Sequence, residues 1–310
     1  MISSIEIARF RGIREGKIEE LTPLVVLVGP NGCGKSSVLD ALFIGAKPNA
    51  ENAGGMVIQR HTGVKNGGRW LFWRAQEHEV SIIVRTSAGE SRAICVRRHR
   101  ELGRIEYLLQ VNSRLVSAQG KSLSDVPDVR LIDPRLFEKQ TPLHRLYTEF
   151  VVHGRRSEAK AIVSEVVPEV KDLEILTEED TPILHLVFAD YSVPVAFAGD
   201  GVYSFVQLSL ELASHPGGVV LFEEPEVHQH PAAIRQTVRA ILAAVRRGIQ
   251  VILSTHSLEL IDTLLAESQE EDLERLSVYR LQLRDGELTS RRMPGSEVAF
   301  LRSEIENDLR

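Results

Sequence analysis

Gly29-Pro30-Asn31-Gly32-Cys33-Gly34-Lys35-Ser36 matches every fixed position of the G-x-x-x-x-G-K-[ST] phosphate-binding pattern. Its flanks are the ones that pattern needs. Leu24-Val25-Val26-Leu27-Val28 is an apolar run of strand length, and Ser37-Val38-Leu39-Asp40-Ala41-Leu42-Phe43 opens a helix. Between strand and helix, glycines let backbone N–H groups curl around a polyphosphate, and the helix N-terminus adds its partial positive charge. Asn31, Gly32, Cys33, Gly34, Lys35, Ser36 and Ser37 are therefore the candidate phosphate contacts. In this reading Lys35 reaches the β- and γ-phosphates and the Ser36 hydroxyl helps to hold Mg²⁺.

Two later stretches extend the site. Gly218-Val219-Val220-Leu221-Phe222-Glu223-Glu224-Pro225 is an apolar strand ending in adjacent carboxylates, which are costly to bury unless their charge is compensated. A metal with a nucleotide would compensate it. Glu223 is then the metal-side acid, and Glu224 the base or positioner of an attacking water; a strand end emerging into solvent is the plain alternative. Gln250-Val251-Ile252-Leu253-Ser254-Thr255-His256-Ser257 is a second buried-type strand with a polar end, where His256 would touch the γ-phosphate and the water.

These stretches resemble the ATPase core of the ABC-type superfamily, in the branch of SMC, RecF and OLD proteins. Ile5-Glu6-Ile7-Ala8-Arg9-Phe10-Arg11-Gly12-Ile13 resembles that branch's first strand. Glu223-Glu224-Pro225-Glu226-Val227-His228-Gln229-His230-Pro231 resembles the Walker B and D-loop text of OLD-like ATPases, and Ser254-Thr255-His256-Ser257 their H-loop. The match covers roughly the first fifty residues and the stretch after Pro194. The resemblance implies an α/β fold: an ABC-type P-loop NTPase head over 1–310, with a mixed central sheet, an antiparallel β subdomain (51–120), an inserted helical lobe (134–180) and a signature, Walker B and H-loop half (190–290). It implies ATP and Mg²⁺ as cofactors and ATP hydrolysis as the activity. It also implies a homodimer that forms on ATP binding, repair or anti-phage defence as the process, and a separate nuclease or toxin effector. The nuclease (TOPRIM) domain of full OLD proteins is not expected in the 310 residues.

The segment corresponding to the ABC signature, L-S-G-G-Q, is Phe197-Ala198-Gly199-Asp200-Gly201 ahead of an apolar helix. Gly199, Asp200 and Gly201 would present backbone N–H groups to the partner's nucleotide. Ala198 replaces the hydroxyl donor and Asp200 adds a negative charge, so a turn that merely starts a helix stays open. His228 and His230 could share a zinc ion, but the D-loop resemblance already accounts for them. Two cysteines, Cys33 and Cys95, cannot build a metal site, and they fit a reducing cytosol. Cys33 lies inside the phosphate loop, so alkylating it should block the site.

A hydrophobic content of 43% supports a sizeable core, and no run approaches a membrane span. The start of the chain lacks a signal-peptide layout, so a cytoplasmic protein without membrane insertion is expected. The net charge of −6 argues against generic coating of nucleic acid, yet it is uneven. Residues 51–120 hold one Lys and ten Arg against six Glu, including Arg97-Arg98-His99-Arg100 with Arg60, Arg69, Arg74, Arg85, Arg92 and Arg104. Such a lobe suits contact with a DNA backbone, or is a solvated sheet face.

Strands are expected at Ile2–Phe10, Gly16–Leu21, Trp70–Arg74, Val80–Thr86, Arg92–Arg100, Arg104–Val111 and Arg130–Asp133. Asn49–Arg69 reads as a Gly-rich loop, with Gln59 or Gln76 as a Q-loop glutamine. Leu143–Val152 and Ser157–Val167 read as helices without coiled-coil heptads. Ile183–Phe188 and Val193–Phe197 read as a hairpin. Leu258–Ala266 reads as a helix, and Ser277–Leu283 pairs with Glu287–Ser290 around Arg284-Asp285-Gly286. A transporter ATPase subunit and a nucleotide-gated scaffold with little turnover are the competing functions.

Overall fold

Leu24–Val28, Val219–Glu223 and Gln250–Ser254 are buried at every position, the pattern of strands covered on both faces. They sit at the centre of a computed structural model that describes residues 1–60, 67–99, 105–112, 114–116, 129–133, 142–164, 167–214, 217–227 and 229–304. In chain order the elements begin with β1 (Ile2–Phe10), β2 (Ile13–Ile18), β3 (Leu24–Val28), α1 (Lys35–Ala46) and α2 (Ala50–Gln59). Next come β4 (Glu79–Thr86), β5 (Ser91–Arg98), β6 (Ile105–Val111), β7 (Arg114–Val116) and β8 (Val129–Ile132). The middle comprises α3 (Leu143–Val152), α4 (Arg156–Ser164), β9 (Asp172–Glu178), β10 (Thr181–Val187), β11 (Ser192–Pro194) and α5 (Asp200–Ser214). The last part is β12 (Val219–Glu223), α6 (Pro231–Arg246), β13 (Gln250–Ser254), α7 (Leu258–Glu267), α8 (Glu270–Arg275), β14 (Leu276–Arg284), β15 (Glu287–Pro294) and α9 (Gly295–Glu304).

The described strands form a mixed sheet in the order β7-β6-β5-β4-β1-β2-β15-β14-β3-β13-β12-β8 and a smaller sheet, β11-β10-β9. From β14 to β8 the large sheet is parallel; from β2 to β7 it is antiparallel. Leu253 pairs with Val26 and Glu223 with Ser254. That register brings the C-terminal ends of β3, β12 and β13 to one edge, the edge at which open α/β sheets bind ligands.

Helices cover both faces. Val38, Leu39, Leu42 and Phe43 of α1 pack with Ile82 and Ile94 on one side, and Val238 and Ile241 of α6 pack with Leu260 and Ile261 of α7 on the other. A third core joins Phe150 of α3, Leu173 of β9, Leu186 of β10 and Phe205 of α5. Helix α5 is the joint between them, since Leu208 and Leu212 belong to the second core while Phe205 and Leu210 belong to the third. Among the described residues no helix is long and apolar enough to cross a membrane.

Several expected boundaries change. Asn49–Arg69 is not simply a loop: Asn49 caps α2 by accepting the Asn52 N–H at 2.8 Å. Gly54 lies inside this helix because Tyr107 packs against it, and a Cβ there would come within 2.0 Å of the Tyr107 hydroxyl. Trp70–Arg74 forms no strand. Gly67–Leu71 and Trp73–Ala75 are 3₁₀ turns, and Arg74 and Ala75 take positive φ values that break any strand. β2 begins and ends earlier than Gly16–Leu21, because the tight turn after Phe10 starts pairing at Ile13. The expected strand Val193–Phe197 ends at Pro194 and passes into a 3₁₀ turn, Val195–Phe197. Residues 100–104 and 165–166, within expected strand and helix ends, lie outside the described residues.

Candidate functional site

The phosphate loop takes the backbone shape its glycines allow. Gly29 has φ 138°, and a Cβ there would lie 2.6 Å from the Leu281 carbonyl oxygen and 2.8 Å from Cys33 Sγ. A Cβ on Gly32, at φ 78°, would meet nothing within 4 Å, so this part of the loop faces open space. Asn31 and Gly32 are exposed, Gly34, Ser36 and Ser37 are half-buried, and Cys33 is buried. Lys35 is 5% exposed and folds back on the loop, its Nζ donating to the carbonyls of Gly29 at 2.8 Å and Pro30 at 3.2 Å. Burial pushes the Lys35 ammonium below the usual lysine range, opposed by Cys33, Glu224 and Glu226.

The Ser36 hydroxyl donates to Glu223 at the end of β12, joining residues 187 positions apart. These two oxygens are the pair the sequence assigns to a magnesium ion. The fit is chemical: Mg²⁺ takes oxygen ligands and combines one or two protein groups with phosphates and water instead of using an all-protein cage. Among the described residues no group of three or more His, Cys, Asp or Glu is placed to hold a metal.

The other Glu223 oxygen is bonded by Arg60, at the C-terminal cap of α2. Arg60 also donates to Asp40 of α1 and, at 3.0 Å, to Asp133 after β8; Arg11 donates to the second Asp40 oxygen. Glu223, Asp40 and Asp133 are 2%, 0% and 4% exposed, so these carboxylates depend on the guanidinium groups for their compensation. None of these charge pairs was expected from the sequence. Asp40 carried the available signal, as a charge inside the otherwise apolar run of α1.

Glu224 has φ 47°, and its N–H donates to the Ser254 carbonyl at 3.0 Å, which turns its side chain out of the strand. Its carboxylate lies 3.7 Å from His256 Nε2. Glu226 is a further missed residue. It accepts the Thr255 hydroxyl at 2.6 Å and the His256 N–H at 3.2 Å, binding the two strand ends together. Burial raises its carboxyl above the usual range, and the Glu224 charge adds to this; the bonds from Thr255 and His256 oppose it. Ser257 then caps α7 by accepting the Leu260 N–H.

The structure thus brings Lys35, Ser36, Glu223, Glu224 and His256 to one sheet edge. Gly199, Asp200 and Gly201 lie elsewhere, at the start of α5 beside the third core; Gly199 (φ 102°) and Asp200 are exposed, Gly201 is half-buried, and Phe197 is 81% exposed. Gln59 is exposed at the end of α2, and Gln76 is exposed after the second 3₁₀ turn. His228 lies outside the described residues, and His230 is exposed at the entry to α6. The basic lobe is not uniformly outward. Arg60 and Arg92 point inward, and Arg85 and Arg97 pair with Glu6 and Glu79. Arg69 and Arg74 are exposed and stack on Trp70 and Trp73; Arg100 and Arg104 lie outside the described residues.

This sheet order and phosphate loop give the chain the fold of an ABC-type P-loop ATPase head, the fold also of SMC heads. The chain belongs to the family described as "AAA domain, putative AbiEii toxin, Type IV TA system", which matches residues 96–262, and the family described as "AAA ATPase domain" matches residues 1–83. An SMC head solved with the C-winged helix domain of ScpA superposes with TM-score 0.65 at 13% identity, covering 94% of this chain and 97% of that one. The SMC head of Thermotoga maritima gives 0.55 at 12% identity, covering 94% and 98%. The Pyrococcus furiosus Smc head bound to the C-terminal domain of ScpA gives 0.58 at 14%, covering 99% of each. In sequence, Methanocaldococcus jannaschii protein MJECL11 is 33% identical over 114 residues, 36% of this chain and 98% of that protein. MJECL10 of the same organism is 49% identical over 49 residues, 15% of this chain and 22% of that protein.

Proposed function

We propose that this chain is an ATP-binding and ATP-hydrolysing head that dimerises on nucleotide. The observation that carries the reading is the hydrogen bond from Ser36 to Glu223 at the N-terminus of α1, beside the buried Lys35. When bound, Mg²⁺ would supply charge neutralisation at the phosphates. Ser36 and Glu223 would hold the metal, and the amides of Asn31 to Ser37 would receive the phosphate oxygens. Lys35 leaves its loop carbonyls for the β/γ side. Glu224 orients water, with His256 beside it to sense the terminal phosphate.

Gly199, Asp200 and Gly201 approach the nucleotide of a second copy, and the exposed Phe197 next to them supports burial against that copy. The regions 51–120, 134–180 and 190–290 act as parts of one head. Its process is repair or anti-phage defence in the cytoplasm, driven through a separate nuclease or toxin effector; the toxin named in the family's description supports defence. Contact with a DNA backbone is part of the proposal only through the exposed Arg69, Arg74 and Arg97.

The test is Glu224→Gln. It should bind ATP, hydrolyse it slowly and accumulate as a dimer in sedimentation. A variant that stays monomeric at saturating ATP while turning over at the wild-type rate overturns the proposal.

A further inference from the structure

Arg60 occupies a place that an ATPase head needs for something else. It bonds the Glu223 oxygen on the side opposite Ser36, so one carboxylate serves a hydroxyl and a guanidinium together. A cation of this size on a buried acid is a tenant that a second cation must meet: two positive charges on one carboxylate repel in a low-dielectric setting. We propose that Arg60 is the resident counter-cation of Glu223 in the nucleotide-free protein, and that it yields Glu223 when Mg²⁺ enters with nucleotide. This rests on the nucleotide-binding reading above.

The network gives Arg60 somewhere to remain. Its Nη1 holds Asp40 and its Nη2 holds Asp133 at 3.0 Å, so ceding Glu223 leaves it two carboxylates. Arg11 shares Asp40 and fixes that acid's position. Lys35 makes no such claim on Glu223, since its Nζ is held by the carbonyls of Gly29 and Pro30. Arg60 is also at a lever point. It caps α2, whose Ala53, Gly54 and Val57 are buried, with Gly54 directly under Tyr107 of β6. A shift of Arg60 therefore moves a helix packed on the antiparallel wing, and the wing registers whether metal is bound. Arg60 acts here as a positioning residue for Glu223.

The experiment uses the full chain with ADP and Mn²⁺, whose free fraction is read by electron paramagnetic resonance. If Arg60 competes for Glu223, Arg60→Gln tightens Mn²⁺–ADP binding by roughly tenfold, while the nucleotide-free protein melts at a lower temperature. Arg60→Lys, which keeps a cation, should lie near wild type. Unchanged or weaker Mn²⁺ binding in Arg60→Gln overturns the proposal. Hydrogen exchange on the wild-type protein serves if that variant fails to fold. Residues 50–59 should exchange faster with ADP and Mg²⁺ than with ADP and a chelator. ADP uptake without that metal-dependent change overturns the role of Arg60 alone, whereas no ADP uptake by the wild type overturns the nucleotide-binding reading beneath it.

Discussion

The Glu226 carboxylate accepts the Thr255 hydroxyl at 2.6 Å, and through that bond the strand end carrying Glu223 and Glu224 is tied to the one carrying His256. The same oxygen takes the His256 N–H, while Oε2 is buried with no hydrogen-bond partner among the described residues. A lone buried carboxylate oxygen beside a second acid favours protonation, which is why the Glu226 carboxyl is pushed up. Its folded-state value lies above its unfolded one, so its stabilising contribution is complete below the ordinary glutamate range. That contribution is lost as pH rises through the raised value.

Glu226→Gln should therefore stabilise the protein at neutral pH by about 1 kcal/mol, because the amide keeps an acceptor for Thr255 and His256 and sheds the charge. It should also flatten the stability profile over that acid window. Thermal melts across pH 4 to 8 check both; a variant less stable than wild type at pH 7 with an unchanged profile contradicts the account.

Arg92 carries a different kind of buried charge. It is 1% exposed and donates to the carbonyls of Ala46 at 2.5 Å and Lys47 at 2.8 Å, at the C-terminal end of the helix that starts with Lys35. A cation there answers both orphan carbonyls and the negative end of the helix dipole. Burial pushes its guanidinium down to about 10, which leaves it charged through neutral pH. Arg92→Met keeps the stem and removes the donors, and should cost about 2–4 kcal/mol in urea unfolding. A loss below about 0.5 kcal/mol would mean the carbonyls find other donors at little cost.

Neighbouring glycines in α2 predict opposite outcomes. At Gly54 an added methyl would strike the Tyr107 ring and hydroxyl, whereas at Gly55 nothing lies within 4 Å. Gly55→Ala should stabilise by about 0.5–1 kcal/mol through helix propensity. Gly54→Ala should destabilise by about 1–3 kcal/mol through overpacking against β6. Equal effects of the two in denaturant melts would remove the packing argument.

That pair also marks where sequence reading stops. The strands β3, β12 and β13 are legible because strands buried on both faces must be apolar throughout, and such runs announce themselves. The loop from Gly29 to Ser36 is legible because its chemistry lies in consecutive residues. Gly54 and Gly55 look like loop residues only until Tyr107, more than fifty positions away, explains one of them. Arg60 is hidden for the same reason. Counted among its neighbours it is one more surface arginine, and its three acids come from α1, the end of β8 and the end of β12. Chain proximity says nothing about a guanidinium that spans three elements.

Cys33 joins the legible loop to its hidden packing. Its place in the sequence suggests a thiol that reagents would reach, but it is 4% exposed, with Sγ 3.7 Å from Lys35 Nζ and lodged where a Cβ on Gly29 would fall. Alkylation therefore needs the loop to open, since the attacking thiolate must reach solvent. N-ethylmaleimide should label Cys33 in the folded protein at about a tenth or less of its rate in the unfolded chain, as followed by peptide mass mapping. Cys33→Ala, which removes the thiol but not the loop, should still take up ADP, whereas protein labelled at Cys33 should not. Rapid labelling of Cys33 in the folded protein, with ADP uptake intact afterwards, would show that the thiol neither packs beneath the loop nor lies against the phosphate site.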